Sequence, residues 1–403
     1  MKSGWITAEE ALKRLGTKPQ TLYANVSRGR IRAKADPAES RRSLYQAEDV
    51  ARLAERHSGQ RASAAVATET IRWGEPLLPT TISAIEDGRL YYRGRDALEL
   101  AQHLTLEETA GLLWDTAPAK LAEGASGASG NASRVTGALV ALAKRAATDL
   151  PALGRRPAVL RSEAAKILST VAGALAPGGD RPRPLHQRLA DGWERPEAAE
   201  PIRKALVLTA EHELNVSAFA ARVTASSGAA LSAAVLSGLA TLTGPRHGGA
   251  WRDVTMLAAQ AKAHGVREAI STGLSSEGLL RAFGHRLYPQ GDLRAKALMA
   301  EFEAPKLYRD LAEAGEELLG EPINIDFALA SLAVAFELPP EAPLVIFAMA
   351  RTTGWLAHAM EQVESGELIR PRARYAGVDE QDVETAGSRR SSSAHSRLSS
   401  AAR

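Results

Sequence analysis

A mainly α fold is predicted by three features of this 403-residue sequence. Alanine and leucine are abundant while aromatic residues make up only 5%, a composition that favours helix over sheet. Ten segments carry apolar residues at helical spacing, and no strand–helix alternation runs through them, which disfavours a parallel α/β plan. The length provides for two or three domains with a large core.

The first unit is residues 5–57. Thr7 and Glu10 have capping-box spacing and open a short helix through Leu15; Gly16 ends it, and Thr17 with Gln20 repeats the spacing with Pro19 in the first turn of a second helix. Two capped helices across one glycine make a helix-turn-helix. From Gly29 to Gln46 the pattern alternates around Asp36-Pro37-Ala38-Glu39-Ser40, as a β-hairpin wing does, and a third helix follows over 47–57. This unit resembles the winged helix-turn-helix of MerR-type and excisionase-type DNA-binding domains, with a protein-docking module as the alternative. The domain is placed at 1–60.

A linker rich in Ser, Ala and Gly follows over 58–70. Helices are then expected over 98–114, 138–147, 161–175, 202–212, 218–242, 254–262, 294–303, 305–319, 326–336 and 343–364. The GASGASG stretch within 118–133 reads as a surface loop, because it lacks the Lys-Ser/Thr ending of a phosphate cradle. The Ser/Arg/Ala-rich end, 386–403, reads as a disordered tail.

Charge and composition exclude several classes. There are no cysteines, which removes disulfides, thiolate nucleophiles and Cys-held metal clusters. The net charge is +3, and the basic excess is N-terminal: residues 1–60 hold 12 Lys and Arg against 7 Asp and Glu, while the remainder is −2. Arg28, Arg30, Arg32, Lys34, Arg41 and Arg42 concentrate near the wing, so weak DNA binding is expected of this unit. The first residues have no continuous apolar core of a signal peptide, and no run approaches membrane-spanning length; a soluble, cytoplasmic protein without a membrane partner is expected. GxGxxG and GxxxxGK[ST] are absent, and His212-Glu213 lacks the second histidine of a zinc-protease helix. No metal site is expected.

Three polar clusters stand out in the helical body: His212-Glu213-Leu214-Asn215-Val216-Ser217, Arg246-His247-Gly248-Gly249-Ala250, and Phe283-Gly284-His285-Arg286-Leu287-Tyr288. Each places a histidine at a helix boundary, where the helix N-terminus disfavours imidazole protonation and leaves a neutral group able to polarise a carbonyl. Asn324-Ile325-Asp326-Phe327 puts one carboxylate in an apolar segment, where desolvation raises its pKa and makes it a stronger base. Together these predict proton abstraction next to a carbonyl. Arg294, Arg351 and Arg370 offer forks for a small polycarboxylate.

These motifs, with Leu90-Tyr91-Tyr92-Arg93-Gly94-Arg95 before them and Arg351-Thr352-Thr353-Gly354-Trp355-Leu356-Ala357-His358 through Arg370-Pro371-Arg372 after them, resemble the citrate synthase family from about Trp73 to Gly377. The resemblance implies an almost all-α fold, with a large domain over 61–250 and 346–385 and a small domain over 251–345. It also implies a homodimer in which one arginine reaches the neighbouring site. By resemblance Asp326 takes the methyl proton of acetyl-CoA, His247 hydrogen-bonds the thioester oxygen, and His285 polarises the oxaloacetate ketone. His212, Arg294 and Arg351 hold oxaloacetate, Arg370 reaches it from the other subunit, and Ser217 and Asn215 support His247. Coenzyme A enters as a thioester substrate, and no cofactor is implied. Propionyl-CoA as substrate, giving 2-methylcitrate, stays open, as does a DNA-binding regulator whose body senses CoA or oxaloacetate.

The sequence departs from the family pattern in three places. Trp251-Arg252 puts an indole and a positive charge where a small amide and often a carboxylate occur; Pro289 and Leu293 alter the loop before Arg294; and Ala328-Leu329-Ala330 replaces a Tyr-Ser-Gly run. Trp251 and Trp355 read as wall or core residues. His57, His103, His186, His264, His358 and His395 read as structural, buried histidines.

Overall fold

The computed structural model describes residues 4–15, 22–23, 25–26, 31–36, 42–51, 78–121, 133–176, 183–277 and 280–373. The chain divides into two units, Met1–Pro79 and Thr80–Arg403.

In the first unit, β1 (Trp5–Ile6) leads into α1 (Ala8–Leu15), and β2 (Ala33–Ala35) and β3 (Ser43–Gln46) complete a three-stranded antiparallel sheet in the order β1-β3-β2. Thr7 opens α1 as the spacing predicts, its hydroxyl accepting the Glu10 amide at 3.3 Å. Ala11 and Leu15 turn one face of α1 onto a small core of Ile6, Leu22, Ile31, Tyr45 and Val50. Residues 47–51 are helical, where the third helix was expected. Most of the second helix, the wing turn, Arg28, Arg30, Arg41 and His57 lie outside the described residues. Arg32, one of the basic residues expected near the wing, is engaged within the unit: Nε and Nη2 grip both oxygens of buried Asp49 at 2.8 and 3.2 Å.

The second unit opens with β4 (Ser83–Glu86), β5 (Arg89–Tyr92) and β6 (Arg95–Asp96), an antiparallel meander among expected helices. Its turns are Asp87-Gly88 and Arg93-Gly94, all at positive φ, which the right-handed twist of a two-residue hairpin requires. Helices α2 (Ala97–His103) and α3 (Leu106–Leu113) replace the single expected helix, because Thr105 and Glu108 form a reciprocal capping box that starts a new helix. The bundle continues with α4 (Arg134–Ala146), α5 (Pro157–Leu175), α6 (Leu185–Gly192), α7 (Ala199–Thr209), α8 (Val216–Ser226) and α9 (Leu231–Leu242). The run expected as one helix over 218–242 breaks between α8 and α9 at Gly228, which has φ +82°. Next come α10 (Ala250–His264), α11 (Val266–Glu277), α12 (Leu293–Met299), α13 (Lys306–Leu319), α14 (Ile325–Ala335) and α15 (Ala342–Ser365).

Two apolar clusters organise this unit. The larger surrounds α15, which is buried on every side from Ala342 to Met360, as a helix apolar all round must be. Trp355 is fully buried against Gly238 of α9, where a Cβ would come within 2.7 Å of the indole. The smaller cluster joins α10, α11 and α13 to Phe327 and Ala330 of α14. No described helix is long and apolar enough to cross a membrane. The 386–403 tail and His395 lie outside the described residues.

Candidate active site

The turn between α7 and α8 is built around His212. Glu213 takes a left-handed conformation at φ +50°, and Asn215 ties the turn together: its side-chain amide donates to the carbonyls of His212 and Glu213, while its Oδ1 caps α8 by accepting the amides of Ser217 and Ala218. Such a strained non-glycine turn costs stability and persists because the surroundings fix it. His212 is buried; its Nε2 lies 2.8 Å from the Tyr288 hydroxyl, and its ring meets that of His285 edge-on at 5.2 Å. Burial and the charges of Arg294 and Arg351 hold the His212 imidazole well below its usual pKa.

Ser217, one turn further on, carries the second histidine. Its Oγ lies 2.8 Å from His247 Nε2, donates to Asn215 Oδ1 at 2.7 Å, and accepts the Trp355 indole N–H at 3.0 Å. His247 stands just before α10, with Gly248 and Gly249 between them. Burial and the Arg351 charge lower its pKa to about 4, so it is neutral at physiological pH.

His285 and Tyr288 sit in the segment before α12, their rings 5.0 Å apart. His285 is also lowered to about 4, by burial and then by Arg294. The expected neutral histidines are therefore present, but the leading cause differs from the sequence reading: burial and arginine charge, rather than helix termini, remove the proton.

Asp292 organises the other wall. Its two oxygens grip Arg294 Nε and Nη2 at 2.9 and 2.8 Å, and Oδ2 also accepts the Ile325 amide at 3.1 Å, the first residue of α14. Arg294, so held, stacks on Tyr288 with its guanidinium carbon 4.9 Å from the ring centre. Leu293 takes the first position of α12 and leaves this clamp intact. Asp326 follows in the first turn of α14, which Asn324 caps. Burial pushes its carboxyl up to about 7, with Arg294 and Arg351 restraining the rise and Asp292 and Asp253 adding to it. Arg351, from the middle of α15, is buried and lowered to about 10 by that burial; its Nε donates to the Thr209 carbonyl and its guanidinium lies over Phe347.

The candidates thus gather into two linked groups, His212, His285, Tyr288 and Arg294 on one side and Asn215, Ser217 and His247 on the other, with the charge of Arg351 acting on His212, His247 and Asp326. Arg370 is not brought in: it is exposed on the segment after α15 and makes no ion pair with another described residue. A cluster of neutral imidazoles, a carboxyl poised near neutrality and two buried arginines suits enolisation of a carbonyl beside a bound polycarboxylate.

Comparison with known proteins decides the family. Residues 138–372, more than half of the chain and all of the clustered side chains, match the citrate synthase C-terminal domain. The chain belongs to the citrate synthase family. The citrate synthase of Haloferax volcanii is 38% identical over 200 residues, covering 46% of this chain and 52% of that protein. The 2-methylcitrate synthase 2 of Corynebacterium glutamicum is 32% identical over 200 residues, covering 47% and 52%. The chain spans about half the length of these curated relatives. Among solved structures, the citrate synthase of Thermotoga maritima superposes with a TM-score of 0.63 at 25% identity, covering 76% of this chain and 95% of that one.

Within this citrate synthase fold some sequence expectations need correction. His103 and His264 are exposed at helix ends, not buried, whereas His186 is buried. His358 is not mere packing: its Nε2 bonds Glu211 at 2.9 Å next to His212. The sequence reading gives Tyr288 and Asp292 no role; the Asp-Leu-Arg spacing that lets a carboxylate cap α12 and clamp Arg294 is the available signal. Trp251 is a wall residue, partly buried against the larger cluster with Arg252 stacked 5.0 Å from its ring centre.

Proposed function

We propose that this chain condenses acetyl-CoA with oxaloacetate to give citrate and free coenzyme A. The single observation that carries the reading is Asp326: a carboxyl raised to about 7 beside two buried arginines is half ionised at neutral pH and basic enough to take a proton from a weak carbon acid. Asp326 removes a methyl proton from acetyl-CoA, and the negative charge moves onto the thioester oxygen, which accepts a hydrogen bond from His247. This step needs the His247 tautomer with its proton on Nδ1, which forms when Ser217 turns its one proton from Asn215 Oδ1 to His247 Nε2. The enol carbon attacks the oxaloacetate ketone, and His285 supplies the proton to the developing alkoxide. Water then cleaves the citryl thioester. Arg294, Arg351 and His212 bind the oxaloacetate carboxylates and ketone. No step calls for a metal or redox cofactor.

The reading of Arg370 calls for a homodimer. Along α8, Val216, Phe219 and Val223 are exposed at 63%, 40% and 38%, a stripe at i, i+3, i+7 spacing that a second copy would bury. The partner subunit's Arg370 then completes the dicarboxylate site. The smaller apolar cluster supports a small domain over 251–345 closing on substrate. A winged helix-turn-helix at the N-terminus is supported by capped α1 and its three-stranded sheet; with Arg32 bound to Asp49, DNA affinity falls to the remaining basic residues.

The propionyl-CoA alternative stays open because relatives bear both names, and one methylene discriminates by only about 1–3 kcal/mol. Incubation with oxaloacetate and either thioester, followed by mass analysis, tests both: citrate from acetyl-CoA at the higher kcat/KM is expected, and preferential 2-methylcitrate would reassign the substrate.

A further inference from the structure

Arg351 and His212 are held by one continuous contact along a single face of α15. Residues 351, 354 and 358 recur at i, i+3, i+7, and they meet three consecutive residues that lead into His212. Arg351 Nε donates to the Thr209 carbonyl at 3.0 Å; Gly354 lies so close that a Cβ would be 2.7 Å from the Ala210 carbonyl oxygen; and His358 Nε2 lies 2.9 Å from Glu211 Oε1. Glu211 and His358 are both fully buried. The second oxygen of Glu211 accepts the Glu213 amide at 2.9 Å, which pins the left-handed residue after His212.

The far side of His358 fixes its proton. Nδ1 faces Arg222 Nη1 at 3.5 Å, and a guanidinium can only donate, so Nδ1 is bare and Nε2 donates to Glu211. Arg222 is anchored by Glu361 and Gln362, each at 2.8 Å, and Glu361 accepts the Thr81 amide at 2.7 Å. Burial alone would raise the Glu211 carboxyl, but His358 and the Arg351 charge pull it below its usual value. It is therefore a buried anion bonded to His358 and within electrostatic reach of Arg351, a buried cation that the substrate is to use.

We propose that the Glu211–His358 pair is a positioning device for oxaloacetate: it locks the His212 turn to the helix bearing Arg351 and supplies that arginine's counter-charge while its Nη groups stay directed to a carboxylate. This rests on the condensation reading above. Neither residue touches substrate.

The test is steady-state kinetics and oxaloacetate calorimetry on the full chain with His358→Leu, His358→Asn and His358→Gln, each with its melting temperature. Gln can donate to Glu211 and accept from Arg222 across the span of the imidazole; Leu can do neither, and Asn is too short for both. Leu and Asn are expected to raise the KM and Kd for oxaloacetate about tenfold, the loss of one well-placed contact, with the KM for acetyl-CoA changed less than about twofold. Gln restores most of the affinity. If His358→Leu does not fold, His358→Asn decides. Unchanged oxaloacetate affinity in a folded variant, equal losses for both substrates, or failure of Gln to rescue overturns the proposal. A wild-type chain that binds no oxaloacetate overturns instead the functional reading on which it stands.

Discussion

Ser217 stands between His247 and Trp355, its hydroxyl oxygen 2.8 Å from the imidazole Nε2 and 3.0 Å from the indole nitrogen. Ser217→Ala removes the hydroxyl partner of His247 Nε2 and strands a buried indole N–H. Turnover should fall on the order of tenfold to a hundredfold with the KM for oxaloacetate nearly unchanged, and stability should drop by about 1–3 kcal/mol. Kinetics and denaturant unfolding of the same variant check both halves; a raised KM for oxaloacetate with unchanged kcat would remove Ser217 from the His247 side.

Asp326 gives a prediction on stability. Its folded pKa, about 7, lies above the ordinary aspartate value, so the folded chain binds this proton more tightly than the unfolded one. That contribution is complete below about pH 4 and is lost as pH rises through about 7. Asp326→Asn, which cannot ionise, should melt above wild type at pH 8, with the difference shrinking toward pH 5. Melting curves across that range are the check, and a variant less stable at pH 8 contradicts the raised pKa of Asp326.

Arg351 is predicted to be irreplaceable even by lysine. Lysine keeps the charge opposite Glu211 but loses the planar fork and the bond to Thr209, so Arg351→Lys should fold and bind oxaloacetate about tenfold or more weakly. Arg351→Ala, which removes the bond to the Thr209 carbonyl and a charge that lowers the Glu211 carboxyl, should also lose about 1–3 kcal/mol of stability. His285→Ala should weaken oxaloacetate binding without that penalty. Calorimetry with unchanged affinity in Arg351→Lys and His285→Ala would place both outside the site.

Subunit mixing addresses Arg370. Inactive Asp326→Asn and Arg370→Ala chains, once exchanged, should regain activity, because one site of each hybrid dimer then holds an intact base and an intact partner arginine. No regain after proven exchange would return Arg370 to its own subunit or remove it from catalysis.

What the sequence made legible follows from how locally each feature is encoded. The histidine motifs and Asn324-Ile325-Asp326 could be read because glycines and a capping asparagine mark them within a few residues. The apolar rhythm of 98–114 hides the break at Thr105, although the Thr105/Glu108 spacing is visible, and the strands of the meander over 83–96 are too short to show an alternation despite the Asp87-Gly88 turn. Glu211 and His358 could not be paired from sequence at all. They are 147 positions apart, and only the absence of a side chain at Gly354 lets their backbones approach. The causes of the histidine shifts were equally hidden, since burial and the reach of Arg294 and Arg351 are properties of the folded packing.

The account turns on Asp326 as the base of a condensation, and thiol release measures it directly. With acetyl-CoA and oxaloacetate together, wild-type chain should release coenzyme A at a rate that depends on both substrates. Asp326→Asn should release none above background while still binding oxaloacetate in a calorimeter. Near wild-type release by Asp326→Asn, or no oxaloacetate-dependent release by the wild type, would contradict it.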